Sequence, residues 1–124
     1  MDARRQLGNR GEIIAASFLE AKGYKILEHQ FKVYGGEVDL IAEKDEEIIF
    51  VEVKTRQSLL FGYPENTITR RKLQRMVLAG QVYLEKQQIP QHPFRLDVVA
   101  IILSIDQPPQ IEHFEGVDAA WTSW

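Results

Sequence analysis

Two short apolar runs, each with an acidic residue at its centre, constrain this chain more than any other feature. Glu37-Val38-Asp39-Leu40-Ile41 and Phe50-Val51-Glu52-Val53-Lys54 lie within two predicted β-strands, Glu37 to Glu43 and Glu47 to Thr55, joined by the polar turn Lys44-Asp45-Glu46. Strand side chains alternate between faces, so Ile48, Phe50, Glu52 and Lys54 share one face and Ile49, Val51 and Val53 the other. If Asp45 and Glu46 are the two central turn residues, Lys44 pairs with Glu47 and Asp39 falls opposite Glu52. Cβ atoms of opposed residues lie only ~5 Å apart, so the two carboxylates repel. A divalent cation between them reverses the sign, and hard oxygen ligands suit Mg²⁺ or Mn²⁺. The turn lacks the Asn-Gly or Asp-Gly signal of a tight hairpin, so a longer loop or a bulge would change the register. In the competing reading the acids are the solvent face of a sheet, and Glu52 with Lys54 is a surface ion pair worth under ~1 kcal/mol. Against it, both strands are apolar around the acids, and a buried charge requires a partner.

The remaining elements frame this hairpin. A helix is predicted from about Arg4 to Lys22, with Leu7, Ile14, Phe18 and Ala21 on one face, Ala15 and Leu19 widening it, and Gly23 as its stop. A strand over Tyr24 to Val33 precedes the turn Tyr34-Gly35-Gly36. After the second acidic strand comes a loop, Arg56 to Thr67, containing Phe61-Gly62-Tyr63-Pro64. A second helix spans about Arg70 to Gln87, with Leu73, Met76, Val77, Gly80 and Leu84 inward and Thr69 as its N-cap. Phe94 to Ile105 is apolar but for Arg95 and Asp97, as expected of a strand buried on both faces. A short strand, Ile111 to Phe114, and a tail predicted to form one helical turn end the chain. The order α-β-β-β-α-β-β describes an α/β fold, a mixed sheet with flanking helices. Its 124 residues suit a single domain over residues 1–124, with a core at about 4–114 and a tail at 115–124.

Composition narrows the chemistry. With no cysteine, thiol catalysis, iron–sulfur clusters and cysteine-based zinc sites are excluded. His29, His92 and His113 lack ligand spacing; His113 reads as a structural histidine, and Arg95 with Asp97 as a same-face pair. No apolar run approaches the ~20 residues of a membrane span, and the N-terminus has no signal-like apolar region, which points to the cytoplasm. The net charge of −3 opposes nucleic-acid binding, but the charge is divided. Between Lys54 and Ala79 stand six basic residues (Lys54, Arg56, Arg70, Arg71, Lys72, Arg75) against one acid, Glu65, whereas the rest of the chain has nine against seventeen.

Taken in order, Gly11-Glu12, Gly23-Tyr24, Gly36-Glu37-Val38-Asp39-Leu40-Ile41-Ala42, Phe50-Val51-Glu52-Val53-Lys54-Thr55-Arg56, Phe61-Gly62-Tyr63-Pro64, Lys72 and Arg95-Leu96-Asp97-Val98-Val99 closely resemble the YraN-like family of uncharacterised bacterial proteins. The resemblance extends from about Gly8 to His113. That family resembles the restriction-endonuclease-like PD-(D/E)XK nuclease superfamily and is similar to archaeal Holliday junction resolvases. Val38 stands where the superfamily signature has proline, a departure the YraN-like pattern tolerates. The resemblance implies an α-β-β-β-α-β core, a Mg²⁺ site at Asp39 and Glu52, Lys54 as the catalytic lysine and Glu12 as an accessory acid.

On that basis Asp39, Glu52 and the Val53 carbonyl are the expected metal ligands, with Lys54 stabilising charge on a phosphate. Glu12 has a second reading, since Asn9-x-x-Glu12 has the form of a capping box. Arg70, Arg71, Lys72 and Arg75 near a helix N-terminus, with Arg56, form a candidate phosphate grip; a solvated basic face is the alternative. Phe61 and Tyr63 read either as nucleic-acid contacts or as packing beneath their loop. The expected function is a Mg²⁺-dependent endonuclease acting on DNA, branched DNA included. The alternatives are a nucleic-acid-binding protein that keeps the nuclease fold without turnover, and a protein-interaction adaptor. Symmetry favours a homodimer for a small domain gripping a branched substrate.

Overall fold

The structure is a computed structural model that describes residues 2–58, 62–118 and 120; Phe61, Trp121 and Trp124 lie outside the described residues, as does most of the predicted helical turn of the tail. Helix α1 (Ala3–Ala21) is followed by strands β1 (Lys25–Val33), β2 (Gly36–Lys44) and β3 (Glu47–Arg56). A 3-10 turn (Pro64–Thr67) leads into α2 (Arg70–Lys86), then β4 (Phe94–Ser104) and β5 (Gln107–Phe114). The five strands form one sheet in the order β1-β2-β3-β4-β5, antiparallel throughout except for the parallel β3–β4 pair, which α2 connects. The predicted α-β-β-β-α-β-β order is the one observed. Among the described residues, no helix is long and apolar enough to cross a membrane.

The helices cover opposite faces of the sheet. Ala15, Ala16 and Leu19 of α1 pack on Leu40, Ala42, Ile49, Val51, Val99 and Ile101. Leu73, Met76, Ala79 and Leu84 of α2 pack on Val38, Ile41, Ile48, Phe50, Leu96 and Val98. The alternation inferred for β3 is therefore correct, and β4 is buried on both faces, as its apolar run predicts. The buried face of α1 is rotated from the predicted one: Gly11, Ala15, Ala16 and Leu19 are buried, whereas Leu7, Ile14 and Phe18 pack at its margin. Small residues win the centre because they let the helix approach the sheet. A Cβ on Gly11 would stand 1.8 Å from the Thr55 hydroxyl oxygen.

The expected β2–β3 turn is the one observed, and two other local expectations change. The β2–β3 turn is a two-residue turn, with Asp45 at φ 52° and Glu46 at φ 66°, the left-handed pair that tight hairpins use despite the absence of glycine. It sets Lys44 opposite Glu47 and carries that register to Leu40 opposite Val51. Strand β5 begins at Gln107, four residues earlier than predicted, and runs through Pro108 and Pro109. It is an edge strand, and its register against β4 shifts between Ile102 and Ser104, so that Pro108 and Pro109 together oppose the single Leu103 at a bulge. Helix α1 is capped by Asp2, whose carboxylate accepts the Arg4 N–H at 2.9 Å, so Asn9 and Glu12 lie mid-helix and form no capping box.

Candidate active site

The regular β2–β3 pairing ends at Leu40 and Val51, one step before Asp39 and Glu52. Asp39 is thus not held in a continuing ladder; its Oδ2 accepts the Val53 N–H at 2.8 Å. The irregularity has a counterpart on β1, where Gln30 takes φ 48° at the position facing Asp39. From there the Gln30 side-chain amide donates to Glu12 Oε2 and, at 3.2 Å, to Asn9 Oδ1. Gly11 seats α1 against Thr55 of β3, and this close approach brings Glu12 to the same end of the sheet. Arg5, Gly8, Asn9, Glu12, Gln30, Asp39 and Val53 surround an open depression of about 260 Å³.

Glu52 lies on the α2 side of the sheet at 2% exposure. Its Oε2 is 3.3 Å from Lys72 Nζ, yet that oxygen receives no hydrogen bond of good geometry. Lys72 Nζ also lies 3.1 Å from Glu37 Oε1. Thr69 caps α2, its hydroxyl accepting the Lys72 N–H at 3.1 Å, and so fixes the turn that aims Lys72 at the acids. Burial pushes the Glu52 carboxyl up to about 9; the neighbouring Asp39 carboxylate adds to the rise, and the Lys72 and Lys54 charges oppose it. Glu12 is also raised, first by burial and then by Asp39, against the Gln30 hydrogen bond. Glu37 is lowered, chiefly by its hydrogen bond from Lys72. In Lys72, burial opposes the charged form but Glu52, Glu37 and Asp39 outweigh it, and its pKa is raised.

The sheet end therefore brings together Glu12, Asp39, Glu52, Lys54 and Lys72. Lys54 shares the Glu52 face and acts on it through its charge. Arg56 donates to the carbonyl of its neighbour Thr55 at 3.0 Å. Arg70, Arg71 and Arg75 are exposed on α2, and Tyr63 is 52% exposed rather than packed beneath its loop. Two participants escaped sequence reasoning, Gln30 and Glu37. The two-residue turn Tyr34-Gly35 pairs Val33 with Gly36, and counting back from it places Gln30 across from Asp39, so that signal was present.

A second cluster stands apart. Among the described residues, the Asp97, His113 and Glu115 ligand atoms lie within 4.8 Å of one another, a spacing that could hold a metal ion. In the Asp97 cluster, however, donors already occupy the acceptors. Asp97 receives Arg95 Nε at 3.0 Å, His113 Nε2 at 2.7 Å and the Gly116 N–H at 3.0 Å. Arg95 also reaches Glu47 and Glu115, each at 3.0 Å. The Arg95–Asp97 pairing is observed; the expectation that the histidines lack ligand spacing is not met for His113, which the fold brings beside Asp97 and Glu115 from a distant strand.

These features define a mixed α/β protein with a carboxylate–lysine centre where two central strands part. The chain belongs to the uncharacterised protein family UPF0102, which it matches over residues 11–101. It is 45% identical to a UPF0102 protein of Syntrophomonas wolfei over 109 residues, covering 88% of this chain and 94% of that one. It is 41% identical to a relative in Caldicellulosiruptor saccharolyticus (82% and 86% covered) and 38% identical to one in Beutenbergia cavernae (94% and 99% covered). Membership bears out the YraN-like resemblance read from the motifs.

Proposed function

We propose that this protein is a Mg²⁺- or Mn²⁺-dependent endonuclease that hydrolyses phosphodiester bonds in DNA, with branched or otherwise structured DNA as its preferred substrate, and that it works in the cytoplasm. The observation that carries this reading is Glu52: a carboxylate almost wholly buried beside Asp39, with one oxygen short of a hydrogen bond. A buried carboxylate with a spare acceptor, beside the half-buried Asp39, fits a hard divalent cation. Asp39, Glu52 and the Val53 carbonyl would hold it, with Glu12 reaching it less directly. Such an ion supplies charge neutralisation on the phosphate and lowers the pKa of its water. Lys54, on the Glu52 face, stabilises charge developing on the phosphate oxygens. Arg56, Arg70, Arg71 and Arg75 bind the DNA backbone, and Lys72 keeps Glu37 and Glu52 in place.

One observation favours the alternative of a DNA-binding protein without turnover. Lys72 already supplies a positive charge 3.3 Å from Glu52 Oε2. Cleavage of a panel of branched and linear DNAs with Mg²⁺ or Mn²⁺ separates the two. The endonuclease reading expects wild-type cleavage that needs the metal and is lost in Glu52→Gln. Binding without cleavage by the wild type would favour the alternative.

A further inference from the structure

Among the described residues the most exposed aromatic side chain lies at the tip of the β1–β2 hairpin, where Tyr34 is 102% exposed. The tip is held firmly. Gly35 has φ +84°, and a Cβ there would meet Leu78 of α2 at 3.2 Å. Gly36 is closer still: its Cβ would stand 2.5 Å from the Arg75 carbonyl oxygen. The hairpin tip therefore rests on a particular stretch of α2. On it, Arg71, Arg75 and Leu78 are spaced four and three residues apart, share one face, and are all exposed. Lys32, also exposed, flanks the tip from β1, and the charges of Lys32 and Arg75 both reach Glu37. Glu37, three residues on from Tyr34, is already paired with Lys72.

A solvent-exposed aromatic ring set among cations matches what single-stranded nucleic acid requires: positive charge for the backbone and a flat apolar surface for a base. The cationic surroundings favour this partner over a protein, whose anchoring sites are apolar at the centre and depleted of lysine. Tyr34 opens the turn that leads into β2, the strand that carries Asp39, so the aromatic tip and the acidic centre belong to one hairpin.

We propose that Tyr34 is a base-stacking platform for an unpaired DNA nucleotide. Lys32, Arg71 and Arg75 hold the adjoining backbone. This deepens the nuclease reading and rests on it for the choice of DNA. It commits the substrate to DNA in which a paired region ends in an unpaired strand.

Binding without added metal tests it, using the full chain and two probes: a duplex with a single-stranded flap carrying 2-aminopurine, and the same duplex fully paired. Tyr34→Ala should weaken flap binding about 5- to 100-fold, the range of one lost stacked base, with the salt dependence unchanged. Paired-duplex binding should change less than about twofold, and Tyr34→Trp should restore the affinity and the quenching of 2-aminopurine. Arg75→Ala should instead flatten the salt dependence by about one phosphate contact. Equal flap affinity in wild type and Tyr34→Ala overturns the platform, even if the wild type cleaves DNA. Tyr34-dependent flap binding without any metal-dependent cleavage keeps the platform and overturns the nuclease reading. A stronger Tyr34-dependent preference for the RNA version of the flap overturns the choice of DNA.

Discussion

At the scale of single residues, Glu52 sets the terms. Its carboxyl is pushed from an ordinary 4.5 to about 9, so without metal the folded protein keeps a proton there that the unfolded chain releases. The folded state thus binds more protons between those two values, and stability falls as pH rises through that window. Glu52→Gln removes the dependence. In chelator, its melting temperature should exceed the wild type's at about pH 8.5 and converge with it near about pH 5. Identical pH dependence in the two proteins would mean that Glu52 is ionised and solvated after all. Much of this site was legible in advance, because apolar neighbours on both faces marked Asp39 and Glu52 as acids out of place. Lys72 was harder to read. On the sequence it belongs to a basic run, and only the capped first turn of α2 directs it inward to Glu37 and Glu52 instead of outward with Arg71 and Arg75. Gln30 was harder again, since its part depends on a left-handed backbone within β1 that no residue type announces.

At the scale of elements, close packing of helix on sheet positions the site, and two glycines make it possible. Gly11 brings α1 and Glu12 to Thr55; Gly80 does the same for α2, where a Cβ would fall 2.2 Å from the Phe50 ring. Phe50 is fully buried and stacks against Phe94 at 5.2 Å between centroids, so it cannot yield easily. Gly80→Ala gains about 1 kcal/mol of helix propensity but should lose more to overpacking, which costs about 1–3 kcal/mol. The expected result is net destabilisation in urea; a more stable variant would show that α2 can shift away from β3. The strand order and the β2–β3 register followed from alternation and turn length. Element edges did not: Pro108 and Pro109 read as breakers, and their place at a bulge on an outer strand makes them tolerable. The face of α1 was misjudged for a related reason. Hydrophobic periodicity weights large side chains, whereas the contact with the sheet selects small ones.

At the scale of the whole molecule, the Arg95 network ties together parts of the chain that the sheet alone would leave apart. Arg95 and Asp97 lie on β4, Glu47 opens β3, His113 lies next to the end of β5, and Tyr24 and Lys22 follow α1. Tyr24 donates to Glu115 at 2.9 Å, and Lys22 Nζ lies 2.7 Å from His113 Nδ1. Burial works against the ionised Asp97, but hydrogen bonds from His113, Arg95 and the Gly116 N–H outweigh it and hold its pKa below 3.8. A depressed carboxylate contributes stability above its unfolded value and loses it as pH falls through the folded one. Asp97 is 0% exposed, so Asp97→Asn leaves Arg95 and His113 facing a neutral group in the interior. The expected cost is about 3 kcal/mol in urea at neutral pH, the scale of a broken buried ion pair. The wild type should lose this advantage on acidification below about pH 4, so the two proteins draw together there. If the cluster instead held a metal, chelator would erase the difference at neutral pH, because the wild type's advantage would then come from the ion. An advantage that survives chelator and fades only with acid identifies the cluster as the ionic joint of the fold, and leaves the carboxylates of β2 and β3 as the place to look for the cation.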